Sequence, residues 1–233
     1  MTIGGFQKLT LIDYPGKIAT TVFTVGCSFR CPFCHNPELV LTNNSQFSTD
    51  NKMEKEFFDF LEKRKGKLEG VCITGGEPTI QSDIIEFIKK IKKMGFLVKL
   101  DSNGTRPDIL KKIIDQKIVD FIAMDIKNSL ERYSETVGLK ADTERIKLSI
   151  DMIMRSGIDY EFRTTVVPGI HFEEDFEKVA ELIDGAKNYY LQEYRDIKIL
   201  DPKLKQKTQG KTLDLDKIKR KIEKHFGNMG IRR

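Results

Sequence analysis

The stretch IATTVFTVGCSFRCPFCHN, residues 18–36, joins an apolar, β-branched run to a loop that holds three cysteines. Its first part, residues 18–25, is rich in Val, Ile and Thr and predicts a β-strand. Cys27, Cys31 and Cys34 follow at once, with the spacing C-x3-C-x2-C. The sequence therefore places three thiols in one loop at the carboxyl end of a predicted strand.

Strand-like and helix-like runs alternate along the rest of the chain. Further strands are predicted at 70–74, 96–101, 121–125, 159–167 and 189–193, and helices at 50–65, 82–94, 107–117, 142–156, 173–185 and 214–226. Such alternation implies a parallel sheet with crossover helices. Six strand–helix units are too few for an eightfold barrel. The predicted fold is therefore α/β, an open partial (β/α)6 barrel of the TIM type, with residues 5–15 adding an N-terminal strand or hairpin.

The bulk properties are those of one globular domain. A chain of 233 residues can bury one substantial core, and 39% hydrophobic with 32% charged residues is an ordinary balance. We expect a single domain over 1–233, with its core at about 16–200 and a C-terminal helix at about 214–226. No apolar run approaches the roughly 18 residues of a membrane span, and the early charges Lys8 and Asp13 argue against a secretory signal. A cytoplasmic location is expected.

The net charge of +5 is a mild excess of 40 basic over 35 acidic residues. The basic residues are spread over helical segments, apart from a loose cluster at Lys203, Lys205, Lys207 and Lys211. A nucleic-acid groove would need basic residues on one face with interleaved aromatics. No such stripe is visible, so nucleic acid is not the expected partner.

The chemistry of the cysteine loop follows from its spacing. A disulfide framework would spread its cysteines through the chain, whereas clustered thiols favour a metal. Three close thiolates can hold three corners of an iron–sulfur cluster and leave the fourth iron without a protein ligand. An open metal position is where a substrate can bind.

Two other metal sites remain as alternatives. A Cys3His zinc site would need a histidine, but His35 adjoins Cys34 and makes poor chelate geometry, while His171 and His225 are distant in sequence. A ferredoxin cluster needs four cysteines, and the only other one is Cys72. Cys72 lies within a predicted strand, where a free cysteine usually packs as a small hydrophobe. No auxiliary cluster is expected.

The loop resembles the signature of the radical S-adenosylmethionine (SAM) superfamily, C-x3-C-x-φ-C, with Phe33 as the aromatic residue. The resemblance implies a [4Fe–4S] cluster on the three cysteines, with SAM bound to its fourth iron. Reductive cleavage of SAM in that superfamily gives a 5′-deoxyadenosyl radical, which abstracts hydrogen from a substrate. The cofactors supply this chemistry and the protein positions them, so no separate catalytic acid or base is assigned. The neighbouring His35 and Asn36 are further candidates for cofactor contact.

The segment ITGGEPT, residues 73–79, ends the second predicted strand. Alone it predicts only a turn before a helix, in which glycines let the backbone approach a neighbour closely. After the cysteine loop, it resembles the GGEP motif of the same superfamily. That motif holds the methionyl amino group of SAM, which makes Gly75, Gly76, Glu77 and Pro78 candidate SAM-binding residues.

Four later segments also end predicted strands, namely 100–105, 123–127, 162–169 and 189–195. Each alone is ambiguous, since a polar loop or a surface ion pair explains it equally well. All four fall where ligands bind in folds of this class. The candidates for cofactor binding that they contribute are Asp101, Ser102, Asn103, Asp125, Lys127, Arg163, Val166 and Gln192.

These segments resemble one branch of the superfamily, the glycyl-radical-enzyme activating enzymes such as pyruvate formate-lyase activase. There, a DTNG and a DLK segment bind a monovalent cation near the SAM carboxylate. The matching residues here are Asp101, Ser102 and Asp125, with Ser keeping the hydroxyl of Thr. The resemblance thus implies a possible monovalent cation at these three positions.

Two more segments narrow the resemblance. GGFQKLTLIDYPGK, residues 4–17, and CHNPELV, residues 34–40, are similar to the activating proteins of anaerobic ribonucleoside-triphosphate reductases. This implies a glycine on a partner enzyme as substrate and a flavodoxin or ferredoxin as electron donor. Two alternatives stay open. One is a small-molecule radical enzyme similar to 7-carboxy-7-deazaguanine synthase. The other is an electron-transfer or zinc-structured binding module, which would leave the GGEP segment unexplained.

Overall fold

The structure is a computed structural model that describes residues 1–40 and 52–233. One sheet organises this part of the chain. The sheet has eight strands that lie side by side in chain order. The strands are β1 (Ile3–Thr10), β2 (Ala19–Thr24), β3 (Gly70–Gly75), β4 (Leu97–Ser102), β5 (Phe121–Asp125), β6 (Asp159–Val166), β7 (Asn188–Glu193) and β8 (Asn228–Arg232).

Helices connect successive strands from β2 onward. They are α1 (Pro37–Val40), α2 (Lys52–Arg64), α3 (Ile84–Lys93), α4 (Pro107–Asp115), α5 (Tyr133–Val137), α6 (Thr143–Arg155), α7 (Glu173–Leu182), α8 (Leu204–Thr208) and α9 (Leu215–Ile222). The first two residues of the helix predicted at 50–65 lie outside the described residues. Within the described part of the chain, no helix is both long and apolar enough to cross a membrane.

The topology confirms the predicted partial barrel. β2 to β7 run parallel with a helical connection after each, and β1 adds the predicted N-terminal strand, antiparallel to β2. The described residues contain no ladder between β1 and β8, so the barrel is open there.

The last strand, β8, was not predicted. It pairs parallel with β7, placing Tyr189 opposite Met229. Its sequence NMGIR has one buried apolar residue, Met229, and no β-branched run. Because its extended conformation depends on pairing with β7 rather than on its own sequence, the local pattern carried no signal.

Local sequence explains how the helices cover the sheet. α3 buries Ile84, Phe87, Ile88 and Ile91, which recur at helical spacing and form one apolar face. Burying each such side chain contributes about 1.5–3 kcal/mol. Just past α3, Gly95 adopts a φ of +93°, which glycine tolerates better than other residues.

The carboxyl ends of the parallel strands meet at one edge of the barrel. Thr24 of β2 lies opposite Gly75 of β3, and Asp125 of β5 lies opposite Arg163 of β6. Side chains from these strands and from the loops that follow them therefore face a common space.

Candidate functional site

A cavity of about 890 Å³, its open mouth included, lies at this carboxyl edge. Most of the residues predicted for the site line it together. These are Cys27, Cys31, Phe33, Cys34, His35, Asn36, Gly75, Gly76, Glu77, Asp101, Ser102, Asn103, Asp125, Lys127 and Arg163.

Three predicted residues lie elsewhere. Pro78 is buried at the start of a 3-10 turn, and Val166 lines a neighbouring cavity with Glu193. Gln192 is half-buried on β7, opposite Thr165. Their contact with a cofactor stays a prediction.

Four residues that line the cavity were not predicted from the sequence, namely Phe29, Val40, Thr74 and Thr165. A signal existed for Thr165. Side chains two apart on a strand share a face, so Thr165 faces the cavity with Arg163. Phe29 lies between two of the cysteines, where an apolar residue can wall the site without taking part in its chemistry.

Backbone hydrogen bonds shape the cysteine loop. Cys34 N–H donates to Cys31 O at 3.0 Å, and Arg30 N–H donates to Val137 O at 2.8 Å. The Arg30 guanidinium also donates to Cys27 O at 2.8 Å. A backbone bond within the loop, a backbone bond to Val137 and the Arg30 guanidinium thus hold the loop in shape.

All three thiols are free and sit in a poorly solvated setting. Burial raises the pKa of Cys27 to about 11 and that of Cys31 to about 12, and it also raises the pKa of Cys34. The positive charge of Lys127 acts in the opposite direction on each thiol. Metal binding would displace the three protons, because thiolates are the ligands. The donor set fits a cluster held by three cysteines.

The histidines required by a Cys3His zinc site are engaged elsewhere. His35 Nε2 bonds Arg195 O at 2.9 Å, and His225 Nδ1 bonds Asp184. Buried His171 accepts from the Val167 N–H at 3.0 Å. Across residues 1–40 and 52–233, no three Asp, Glu, His or Cys side chains are placed to hold a single metal ion, whereas in a cluster each thiolate binds a different iron.

The two glycines of the GGEP segment lie against the chain's own backbone. A Cβ on Gly76 would lie 1.9 Å from Gly26 O, and one on Gly75 would lie 2.3 Å from Thr24 N. Glu77 N–H donates to Gly26 O at 2.8 Å across the same contact. The close backbone approach that the two glycines allow is thus made to Thr24 and Gly26, which lead into the cysteine loop.

Glu77 is 1% exposed and accepts several hydrogen bonds. Its donors are Thr79 N–H at 3.0 Å, Ser102 Oγ at 2.9 Å and Asn103 N–H at 2.6 Å. Burial raises the pKa of this carboxyl, although the donors oppose the shift. Glu77 therefore joins the turn after β3 to the loop after β4, and its role toward an ammonium group stays a prediction.

Arg163 connects two acidic strand ends. Its Nε donates to Asp125 Oδ1 at 2.9 Å, and its Nη1 and Nη2 donate to Asp101 Oδ2 at 3.2 Å. Lys127 pairs with Asp125 at 2.9 Å, and buried Lys99 pairs with Asp101. Burial opposes the charge on both carboxyls, but Arg163 and the lysines outweigh it and lower both pKa values.

This network differs from the predicted cation site. The guanidinium of Arg163 contacts both Asp101 and Asp125, and the Ser102 hydroxyl donates to Glu77. Two of the three predicted ligands are therefore neutralised by a cation of the chain itself. A monovalent ion at this place stays a prediction.

The network continues to the unpredicted strand. Buried Glu161 accepts from Nη1 and Nη2 of Arg232 at 2.9 and 2.6 Å, and it lies 3.8 Å from Arg163. The charged residues at 99, 101, 161 and 163 alternate on β4 and β6. Charges at every second position of a buried strand were the signal that could have revealed this interior network.

Sequence comparisons point to one family. The profile of the radical SAM superfamily matches residues 21–183. A Methanocaldococcus jannaschii protein named as a glycyl-radical enzyme activating enzyme is 32% identical over 235 residues, covering 99% of this chain and 95% of that protein. The pyruvate formate-lyase-activating enzyme of Clostridium pasteurianum is 27% identical, covering 80% of this chain and 77% of that enzyme.

A solved structure supports the fold. Streptococcus suis SuiB bound to precursor peptide SuiA superposes with a TM-score of 0.65 at 15% identity, covering 91% of this chain and 48% of that one. At this identity the likeness concerns the arrangement of strands and helices alone.

Proposed function

Because the chain belongs to the radical SAM superfamily, and within it to the glycyl-radical-enzyme activating enzymes, we propose that it generates a glycyl radical on an anaerobic ribonucleotide reductase. The main support for the proposal is that Cys27, Cys31 and Cys34 line one cavity together with the carboxyl ends of β3 to β6. The N-terminal segment 4–17 supports the choice of partner through its resemblance to activating proteins of such reductases.

The family implies SAM and a [4Fe–4S] cluster, and we assign the cluster to the three thiols of the cysteine loop. When bound, the cluster supplies an electron and an open iron at which SAM is cleaved to the 5′-deoxyadenosyl radical. Asn103 Nδ2 donates toward Cys27 Sγ at 3.7 Å, and Lys127 lends positive charge to the thiols. Both contacts stabilise the thiolate form that a cluster requires.

The polar wall opposite the cysteines is assigned to SAM. The turn at Gly75–Glu77 would bound the methionyl end, while the loop that holds Ser102 and Asn103 is fixed to that turn by Glu77. Charged Lys127 would pair with a carboxylate in the cavity. If a monovalent cation binds, it would share Asp101 and Asp125 with Arg163.

The substrate would be a glycine on the partner protein, delivered to the open mouth of the cavity. A cytoplasmic location belongs to the same proposal, since the partner and its reductant act there. The radical would be stored on the partner and not on this chain.

The test is electron paramagnetic resonance of the anaerobically reconstituted protein, mixed with SAM, dithionite and the reductase. The proposal expects a glycyl doublet and formation of 5′-deoxyadenosine. A doublet on a lyase but not on the reductase would refute the assigned partner. Label entering 5′-deoxyadenosine from a pterin would instead favour the small-molecule enzyme.

A further inference from the structure

The basic segment, defined as residues 195–211, concentrates positive charge. It has six basic residues against two acidic ones, in a chain whose net charge is only +5. Lys203, Lys205, Lys207 and Lys211 are all exposed. The proposed chemistry gives this local excess no role in binding SAM or the cluster.

The basic segment lies directly on the cysteine loop. Asp201 N–H donates to Pro32 O at 3.0 Å, and Pro32 stands between Cys31 and Cys34. Arg195 O accepts from His35 Nε2 at 2.9 Å. The segment therefore contacts the cysteine loop at two points, Pro32 and His35.

The backbone of the segment is anchored, while Lys203, Lys205, Lys207 and Lys211 remain exposed. Leu204 is buried, and a Cβ on Gly169 would lie 2.6 Å from Lys207 O, so the turn after β6 packs closely against α8. Among the described residues, Lys203, Lys207 and Lys211 form no salt bridge with an acidic side chain. Their charge is thus available to a partner.

An apolar side chain accompanies these charges. Ile197 is 76% exposed, between Arg195 and Lys198. An apolar contact surrounded by charged residues is typical of a transient protein interface. A single exposed isoleucine would be unremarkable, but its position within the basic segment supports a docking surface.

We propose that the basic segment docks an acidic protein that donates one electron at a time. The inference rests on the proposed function, in which each SAM cleavage consumes one electron. In the described chain the fourth cysteine, Cys72, is buried in β3 apart from the cysteine loop, so the electron must come from outside. One electron leaves the reduced donor and enters the cluster, and no proton or group is transferred.

Charge complementarity predicts how binding of the donor depends on salt. A basic surface accelerates association with an acidic partner, and salt weakens that attraction. The screening length falls from about 8 Å at 0.15 M salt to about 3 Å at 1 M. Binding of the donor should therefore weaken steeply as salt is raised.

The test compares two triple variants of the reconstituted holoenzyme. The first is Lys203→Glu, Lys207→Glu, Lys211→Glu. The control reverses three exposed lysines in the last turns of α2, α3 and α4, as Lys63→Glu, Lys93→Glu, Lys112→Glu, and so has the same net charge. Each protein is titrated anaerobically with a purified flavodoxin and with a ferredoxin. The rate of cluster reduction is recorded with each reduced donor and with dithionite.

We expect the first variant to bind one of the donors at least about tenfold more weakly at low salt, a loss of about 1.4 kcal/mol, while the control binds as wild type. Reduction by the donor should slow in proportion, and reduction by dithionite should not change. Equal binding by both variants, or no binding of either donor to wild type, would overturn the proposal. A first variant that keeps the donor but loses the reductase would assign the segment to that enzyme instead. The same experiment distinguishes a failure of the proposed function. In that case wild type would cleave no SAM with dithionite, whether or not it binds a donor.

Discussion

The guanidinium of Arg163 donates from Nε to Oδ1 of Asp125 at 2.9 Å, joining β6 to β5 inside the cavity. The two residues are also register partners in the sheet. The same guanidinium contacts Asp101 at 3.2 Å. The acidic wall of the candidate SAM site is thus built as part of a buried ionic network.

Replacing Arg163 should lower the free energy of unfolding, because the buried carboxylates of that wall lose a positive partner. Arg163→Leu leaves Asp101 and Asp125 with one lysine each, and we expect a loss of about 3 kcal/mol in the free energy of unfolding at neutral pH. The control Arg145→Leu removes an exposed pair with Asp142 and should cost no more than about 0.5 kcal/mol. Urea unfolding measures both.

The pH dependence of this effect has a defined sign. The network lowers the pKa of Asp101 and Asp125 below the ordinary value of 3.8, so their stabilising contribution is present above that value and is lost as pH falls through the folded pKa. The stability difference between wild type and Arg163→Leu should hold from pH 6 to 8 and shrink below about pH 4. A difference that grows on acidification would contradict the assigned network.

The three loop cysteines should be indispensable and the fourth dispensable. Cys27→Ala, Cys31→Ala and Cys34→Ala each remove a proposed cluster ligand, and we expect loss of the iron and sulfide bound by wild type, about four of each per chain. Cys72→Ala is the matched control, because Cys72 is buried in β3 and should leave the cluster intact. Iron and sulfide analysis after reconstitution checks this, and full cluster content in any loop variant would count against the assignment.

Glu77→Ala should reduce stability as well as SAM binding. It removes the acceptor for donors on Thr79, Ser102 and Asn103, and each buried donor left unpaired costs about 1–3 kcal/mol. The control Glu144→Ala changes an exposed residue of α6 and should be nearly neutral. Thermal unfolding and SAM titration are the measurements. Undiminished stability would show that the hydrogen bonds of Glu77 contribute little.

Gly76→Ala should disturb the entry to the cysteine loop. The added Cβ would meet the Gly26 carbonyl, so the turn after β3 must move away from β2. We expect SAM affinity to fall by at least about tenfold. Gly5→Ala, where no atom lies within 4 Å of the new Cβ, should bind SAM as wild type does. Equal affinity in the two variants would mean that this close approach does not shape the site.

The sequence predicted the barrel because its strands have strong local signals, such as the β-branched run before Cys27 and the turn glycines after β3. It did not predict β8, since Asn228–Arg232 is stabilised by pairing with β7. Three network partners, Lys99, Glu161 and Arg232, were missed for a related reason. Which charges meet inside a barrel depends on the register between neighbouring strands, and the pattern of one strand does not show which residue of the next lies opposite.

The candidate site, like the fold, was predicted from the sequence only in part. The spacing predicted that the three thiols lie close together, and they line one cavity because they belong to one short loop. It did not foresee that Glu77 would bind Ser102 and Asn103, or that Arg163 would lie between Asp101 and Asp125. Those contacts join residues from different strands, whose distances no local pattern reports.

We assign the cysteine loop as the holder of the cluster at which SAM is cleaved. The most direct measurement is the 5′-deoxyadenosine formed by the reconstituted, dithionite-reduced protein with SAM, compared with the Cys34→Ala variant. We expect that wild type forms 5′-deoxyadenosine and that the variant forms none above background. Formation of none by a wild-type protein that carries its iron and sulfide, or equal formation by both proteins, would contradict it.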